Sequence, residues 1–348
     1  MLERPDLPHE KIIACLQADY GLQITRVTFL PLGADQNTVV YRIIAADGSP
    51  YFLKLRRGVF DETSVTLPKF LYDQGVRHII APLTTQAGQL WANLDDYTVI
   101  VYPFVEGRDG YDVDLSDRHW IEFGAALKRI HTANVPSSIT SRIPRESYSA
   151  QWRDLVRLFL ARIEEETFED PVATQTAEFL QSKRDEILAL VERTERLAEK
   201  LQAQPLDGVV CHSDLHAGNI FIDGDSALYI VDWDNPIIAP KERDLMFAGG
   251  GQFGQARTAR EEEALFYRGY GPTPIDPVAL AYYRYERIVE DIAVECHLIF
   301  STAGDEDRER ELRFLISNFQ PDGVLAIAYR ADKAWLKRSV APHPPQPT

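Results

Sequence analysis

The sequence predicts an α+β protein of two lobes, an N-terminal antiparallel sheet lobe followed by a larger, mainly helical one, and three observations predict it. Runs rich in β-branched and aromatic residues crowd the first third of the chain, with a tight-turn signal, Asp47-Gly48, between two of them. Beyond the Glu106-Gly107 turn, helical periodicity takes over. The 348 residues, 45% of them apolar, suffice for a sizeable core in two lobes.

In chain order, Ile12, Ile13, Leu16 and Tyr20 recur at helical spacing and Gly21 supplies a stop, so a short amphipathic helix opens the fold. Strands are expected over 27–32 (VTFLPL), 38–46 (TVVYRIIAA) and 51–56 (YFLKLR), as a meander. A helix over 62–74 ends at Gly75, and a further strand covers 97–104 (YTVIVYPF). Ser116 is placed to cap a helix with Trp120, Phe123, Leu127 and Ile130 on its apolar face. In the helices that follow, Leu180, Ile187, Val191, Ala198 and Leu201 share a face that reads as scaffold. The apolar runs 209–212 (VVCH) and 227–233 (ALYIVDW) read as a buried hairpin, and residues 341–348 as a disordered tail.

Composition narrows the function classes. Fifty-three acidic against 37 basic residues give a formal charge of -16, a field that repels phosphate backbones and favours cationic ligands, so no nucleic-acid partner is expected. Cys15, Cys211 and Cys296 have no paired spacing, which argues against a disulfide framework or a zinc cage. The N-terminal stretch lacks the basic start and apolar run of a signal peptide, and no apolar run is long enough to span a bilayer. A cytoplasmic protein with no membrane partner is expected.

The chemistry concentrates in HSDLHAGNIFIDGDSALYIVDWD, residues 212–234. Asp214 and Asn219 lie in one loop and Asp232 at the end of a following strand, so two carboxylates and an amide gather at the strand mouths. Oxygen donors of this kind suit Mg²⁺. The order matches the phosphoryl-transfer signature, in which the first Asp orients the acceptor hydroxyl and the Asn and second Asp hold metal. Asp214 is therefore the candidate catalytic residue, and Asn219 and Asp232 the metal ligands. The signature also needs an upstream strand lysine for the phosphates. Lys54 within FLKL fits, with Glu62 preferred over Asp61 as its partner; the competing reading of Lys54 is an edge-strand lysine facing water. No GxxxxGKS or GxGxxG occurs, and the candidate phosphate-covering turn, 31–37 (PLGADQN), offers Gly33 alone. Two other readings of the segment stand beside this one. Alternating His212, Asp214 and His216, with Asp232 as a bridge, suit a metallohydrolase, and a non-catalytic kinase-like module could keep the cleft without the reaction.

With these residues in place, the chain resembles the aminoglycoside phosphotransferase and choline kinase family, over about residues 22–328. Within that family, LGADQNTVVYRI, YFLKLRRG, WDNPIIAPKERDLMF and YYRYERIVEDIAV are most similar to its spectinomycin-phosphorylating members. The resemblance implies a bilobal protein-kinase-like fold, with a nucleotide-binding lobe over 1–102, a hinge over 103–108 and a catalytic and substrate lobe over 109–340. It implies ATP, with GTP as the alternative, and Mg²⁺. Pro103, Phe104 and Val105 would meet the adenine, and Asp244 would be a scaffold residue of the catalytic loop. The implied reaction is phosphorylation of a ring hydroxyl on a cationic aminocyclitol such as spectinomycin, an antibiotic-inactivating step; another aminoglycoside, choline, a sugar or homoserine is the alternative acceptor. A cationic acceptor calls for spare carboxylates, and Asp234, Glu286, Glu290 and Asp291 are the candidates. The competing reading is a flank salt-bridged by Arg284 and Arg287.

Overall fold

A computed structural model describes residues 6–32, 37–224, 226–254, 256–301 and 305–340. Gly33, with most of its turn, and residues 341–348 lie outside them. Contacts divide the chain into two compact units, Met1–Pro144 with His212–Ile237, and Arg145–Cys211 with Ile238–Thr348. The first begins α1 (His9–Tyr20), β1 (Ile24–Leu30), β2 (Thr38–Ala45), β3 (Pro50–Arg57), α2 (Thr63–Asp73), β4 (Ala92–Leu94), β5 (Tyr97–Pro103), β6 (Gly107–Asp109), α3 (Asp117–His131) and α4 (Ser137–Thr140). Next come α5 (Gln151–Glu165), α6 (Pro171–Ser182), α7 (Arg184–Gln202) and β7 (Val209–Cys211) of the second unit. The chain then returns for β8 (Ile220–Asp223) and β9 (Leu228–Ile230). It ends in β10 (Ile237–Ala239), α8 (Glu242–Leu245), α9 (Ala259–Tyr270), α10 (Pro277–Phe300), α11 (Asp305–Asn318) and α12 (Val324–Val340).

In the first unit the sheet runs β1-β2-β3-β5-β4 with every neighbour antiparallel. Strand periodicity sorts β3 into two faces. Leu53 and Leu55 are fully buried with Tyr41, Ile43, Val99 and Val101 in the cluster that receives Ile12, Leu16 and Tyr20 of α1. Phe52, Lys54 and Arg56 therefore occupy the opposite face. Lys54 pairs in register with Val40 on one side and Ile100 on the other, so it sits mid-sheet and the edge-strand reading does not hold. β1 begins three residues before the expected 27–32 strand and stops at Leu30, because Pro31 has no N–H to give to a ladder.

The Ser116 cap forms as a reciprocal box: its hydroxyl accepts the His119 N–H and His119 Nδ1 accepts the Ser116 N–H, each at 3.2 Å. The expected hairpin between 209–212 and 227–233 does not form. β9 pairs instead with β8, Ile220 opposite Ile230, in a three-stranded sheet ordered β6-β8-β9, while β7 runs beside β10. Asp223-Gly224 is itself a turn signal, and the shorter loop costs less entropy to close.

In the second unit α10 is the hub, packing on α5, α7, α11 and α12. Asp276 caps it by accepting the Val278 N–H at 2.8 Å, with Pro277 in the first turn where no N–H is needed. Its buried Ile288, Val289, Ile292 and Ile299 contribute roughly 1.5–3 kcal/mol each relative to exposure. Among the described residues no helix is long and apolar enough to cross a membrane.

Candidate active site

The loop from His212 to Asn219 is held against the segment after β9 by three bonds. His212 Nδ1 accepts the Asp214 N–H at 3.3 Å, so its Nε2 carries the proton and donates to the Val231 carbonyl at 2.9 Å. The Ser213 hydroxyl donates to the Asn235 carbonyl at 2.8 Å, and the Val231 N–H to the Asn219 carbonyl at 3.0 Å. His212 also packs edge-on to Trp233, ring centroids 4.7 Å apart. With both ring nitrogens committed, His212 has no lone pair for a metal, which removes a ligand from the metallohydrolase set. Ser213 and Asp232 stand at φ 75 and 65, left-handed values that cost a residue other than glycine roughly 1–3 kcal/mol and concentrate at functional sites.

Because Ile220 opposes Ile230, Asn219 and the Val231–Asp232 segment emerge at the same end of the β8-β9 hairpin. Asn219 Nδ2 donates to the Asp214 carbonyl at 2.8 Å and lies 3.4 Å from Asp214 Oδ2. Its amide oxygen is thereby turned away from Asp214, the orientation a hard cation requires of a neutral ligand. The amide oxygen of Asn219 and the half-exposed carboxylate of Asp232 are donors of the type that suits Mg²⁺.

Lys54 reaches this end of the hairpin from β3. Its Nζ lies 2.8 Å from Asp234 Oδ2 and 3.4 Å from Asp232 Oδ1, and Arg56 Nη1 lies 3.0 Å from the same Asp234 oxygen. Two cations from one strand face thus meet two carboxylates. Asp232, Asp234 and Arg56, with Asn37, Arg57 and Val59, line a cleft of about 600 Å³. Burial, followed by the charges of Asp234 and Asp232, pushes the Tyr102 phenol far above its ordinary range, so it stays protonated.

Glu62, expected beside Lys54, pairs with Arg142, because Lys54 is turned toward Asp232 and Asp234. Phe104 lies under the Arg42 guanidinium at 4.5 Å, and its N–H donates to the Pro50 carbonyl at 3.3 Å; Pro103 ends β5 and Val105 follows. Asp234 is neutralised by Lys54 and Arg56 rather than spare. Glu286 is buried against Arg153 at 2.5 Å, Asp291 bonds Arg287 at 2.8 Å, and Glu290 lies 3.9 Å from Arg243. Asp244 is buried in α8. Sequence reasoning missed Arg56, although its place two residues beyond Lys54 puts it on the same strand face.

The sequence model of the phosphotransferase enzyme family matches residues 28–281. A structure of spectinomycin phosphotransferase APH(9)-Ia in complex with ADP and spectinomycin superposes with a TM-score of 0.87 at 35% identity, covering 95% of this chain and all of that one. Protein StrN of Streptomyces griseus is 24% identical over 251 residues, 70% of this chain and 76% of its own. Macrolide 2'-phosphotransferase MphH of Brachybacterium faecium shares the fold, with a TM-score of 0.53 at 20% identity over 88% of this chain and 98% of that one.

Proposed function

Since the chain belongs to the phosphotransferase enzyme family, whose kinase-like members act on small hydroxyl-bearing substrates, we propose that it transfers the γ-phosphoryl group of ATP to a ring hydroxyl of spectinomycin or a closely related aminocyclitol, inactivating the antibiotic. The observation that carries this reading is full-length likeness to an enzyme solved with ADP and spectinomycin, joined to the Lys54, Asp214, Asn219 and Asp232 set. In this reading residues 1–102 hold the nucleotide, with the base at the 103–108 hinge, and residues 109–340 carry catalysis and the acceptor.

Phosphoryl transfer through a loose transition state asks for alignment and charge neutralisation more than covalent work. Asp214, held by its own N–H to His212 and its carbonyl to Asn219, orients the acceptor hydroxyl and accepts its proton. Lys54 and Arg56 exchange carboxylate for phosphate oxygens as the nucleotide enters. Asn219 and Asp232 hold Mg²⁺, which when bound neutralises charge on the phosphate oxygens. In the acceptor lobe, Asp291 bonds Arg287, Glu290 lies near Arg243 and Glu286 belongs to the buried pair with Arg153, so each of these carboxylates already faces an arginine.

The test is coupled nucleotide turnover with Mg-ATP and then Mg-GTP, offering spectinomycin, kanamycin, streptomycin and choline at equal concentration, with the phosphorylated product confirmed by mass. Turnover with spectinomycin alone is expected. Turnover with another acceptor instead would discard the antibiotic assignment, and none with any acceptor would discard the kinase reading. Asp214→Asn is expected to lower kcat about 10²- to 10⁴-fold, with nucleotide affinity changed much less.

A further inference from the structure

Beside the catalytic loop lies an aromatic pair that the phosphotransfer reading leaves without a task. Tyr111, 65% exposed, stacks on His216 with ring centroids 5.7 Å apart and planes inclined by 21°. Its placement is built in. Asp109 Oδ1 accepts the Tyr111 N–H at 2.9 Å and the Asp112 N–H at 3.2 Å, and the Gly110 N–H donates to the Ala217 carbonyl at 2.9 Å. Two glycines clear the space: a Cβ on Gly110 would sit 2.9 Å from the Ala217 oxygen, and one on Gly218 would sit 2.8 Å from His216 Cε1 and 2.9 Å from Tyr111 Cε2.

The hydrogen bonds around the imidazole fix where its proton sits. The Gly218 N–H donates to His216 Nδ1 at 3.0 Å, and the Tyr111 hydroxyl lies 3.2 Å from the same nitrogen. With Nδ1 the acceptor, the proton resides on Nε2. That nitrogen lies 3.5 Å from Asp214 Oδ2 and 3.4 Å from Asn219 Nδ2, which itself is 3.4 Å from the same carboxylate oxygen. Two donors border one oxygen of the predicted catalytic carboxylate.

We infer that Tyr111 and His216 are positioning residues for Asp214: the Tyr111 hydroxyl, together with the Gly218 N–H, holds His216 in its Nε2–H tautomer, and that N–H orients the Asp214 carboxylate toward the acceptor. The inference rests on the phosphotransfer reading. A plain loop brace would need the ring of Tyr111 but not its hydroxyl, and a side chain so exposed gains little from packing.

Tyr111→Phe keeps the ring and removes the hydroxyl. It is expected to lower kcat roughly three- to tenfold, the loss from one modest hydrogen bond, with KM for nucleotide and Tm unchanged. His216→Ala is expected to lose more, with added imidazole restoring part of kcat. A readout independent of turnover is the ¹⁵N NMR signature of His216, expected as the Nε2–H tautomer in the native protein and with a larger Nδ1–H share in Tyr111→Phe, where the Gly218 N–H alone remains on Nδ1. Native kcat with an unchanged tautomer in Tyr111→Phe overturns the inference, as does a loss confined to KM or Tm. A native protein inactive toward every acceptor discards the phosphotransfer reading instead, and the tautomer measurement still decides whether Tyr111 governs His216.

Discussion

Replacing Arg153 with Met tests the assignment of Glu286 most sharply. The two side chains are 3% and 8% exposed and meet at 2.5 Å, and Arg153 donates a second bond to the Tyr148 carbonyl at 3.1 Å. Removing the arginine leaves a carboxylate buried without its counter-charge, which costs about 3–5 kcal/mol. For a chain of this size that lowers Tm by on the order of 10 °C. Burial already pushes the Glu286 carboxyl up to about 7 against the opposing pull of Arg153. A folded-state value above the unfolded one means that protonation stabilises the fold. Its contribution is complete below the ordinary 4.5 and is lost as pH rises through about 7. The penalty of Arg153→Met should therefore shrink at pH 5.5 relative to pH 8, and Arg153→Met/Glu286→Leu should recover much of it at both. Thermal unfolding at the two pH values, with acceptor KM beside it, is the assay. A loss below about 1 kcal/mol, within the range of an exposed ion pair, would refute the buried-pair account. So would Glu286→Gln that keeps its Tm while its acceptor KM rises severalfold, which would return Glu286 to the substrate carboxylates.

Two further outcomes follow from the charge distribution. Glu295, raised to about 9 by burial and then by the charges of Asp291 and Glu311, contributes stability as the neutral acid that is lost as pH climbs from about 4.5 toward 9. Glu295→Gln should flatten the stability profile between pH 6 and 9, a native slope of up to ~1.4 kcal/mol per pH unit; parallel profiles would show that Glu295 ionises freely. Asp234→Asn removes the anion that holds Lys54 and Arg56, so ADP binding measured by calorimetry in EDTA should tighten about fivefold, from about 1 kcal/mol of lost competition. Weaker binding would mean that Asp234 aims the two cations at phosphate rather than competing for them.

What the sequence made legible follows the range of the interactions involved. The Ser116 cap and the faces of α10 are set within a few residues, and local periodicity reads them directly. Asn219 and Asp232 are close in sequence and joined by one hairpin, so their spacing puts them at one end of it whichever strands flank them. The pairing of 209–212 was misread because its three strand residues are too short to carry a register, and nothing in VVC marks IIA as its partner. The partners of Lys54 were beyond local reading altogether. A choice among Asp61, Glu62, Asp232 and Asp234 depends on which way a lysine in the middle of a sheet is turned, and Asp232 lies 178 residues away in sequence. The Tyr111–His216 stack was hidden for the same reason. Each residue reads as a loop residue by itself, and the β6-β8 ladder, with the Gly110–Ala217 bond, brings the two loops together.

The arrangement also accounts for the position of Lys54 on β3. A lysine at a sheet edge would spend its charge on water, whereas at 14% side-chain exposure Lys54 is partly desolvated and interacts strongly with whichever anion is present. With Arg56 two residues on, β3 presents two positive charges that Asp232 and Asp234 balance one for one. That neutrality lets the cleft keep both cations at low electrostatic cost until phosphate replaces the carboxylates. In the proposed reading, phosphate that drew Lys54 and Arg56 away would leave Asp232 and Asp234 without their counter-charges, so nucleotide would raise the affinity of the oxygen donors for a divalent cation. The reverse holds by linkage: whatever neutralises Asp232 frees Lys54 for phosphate, and the two ligands should bind with positive coupling.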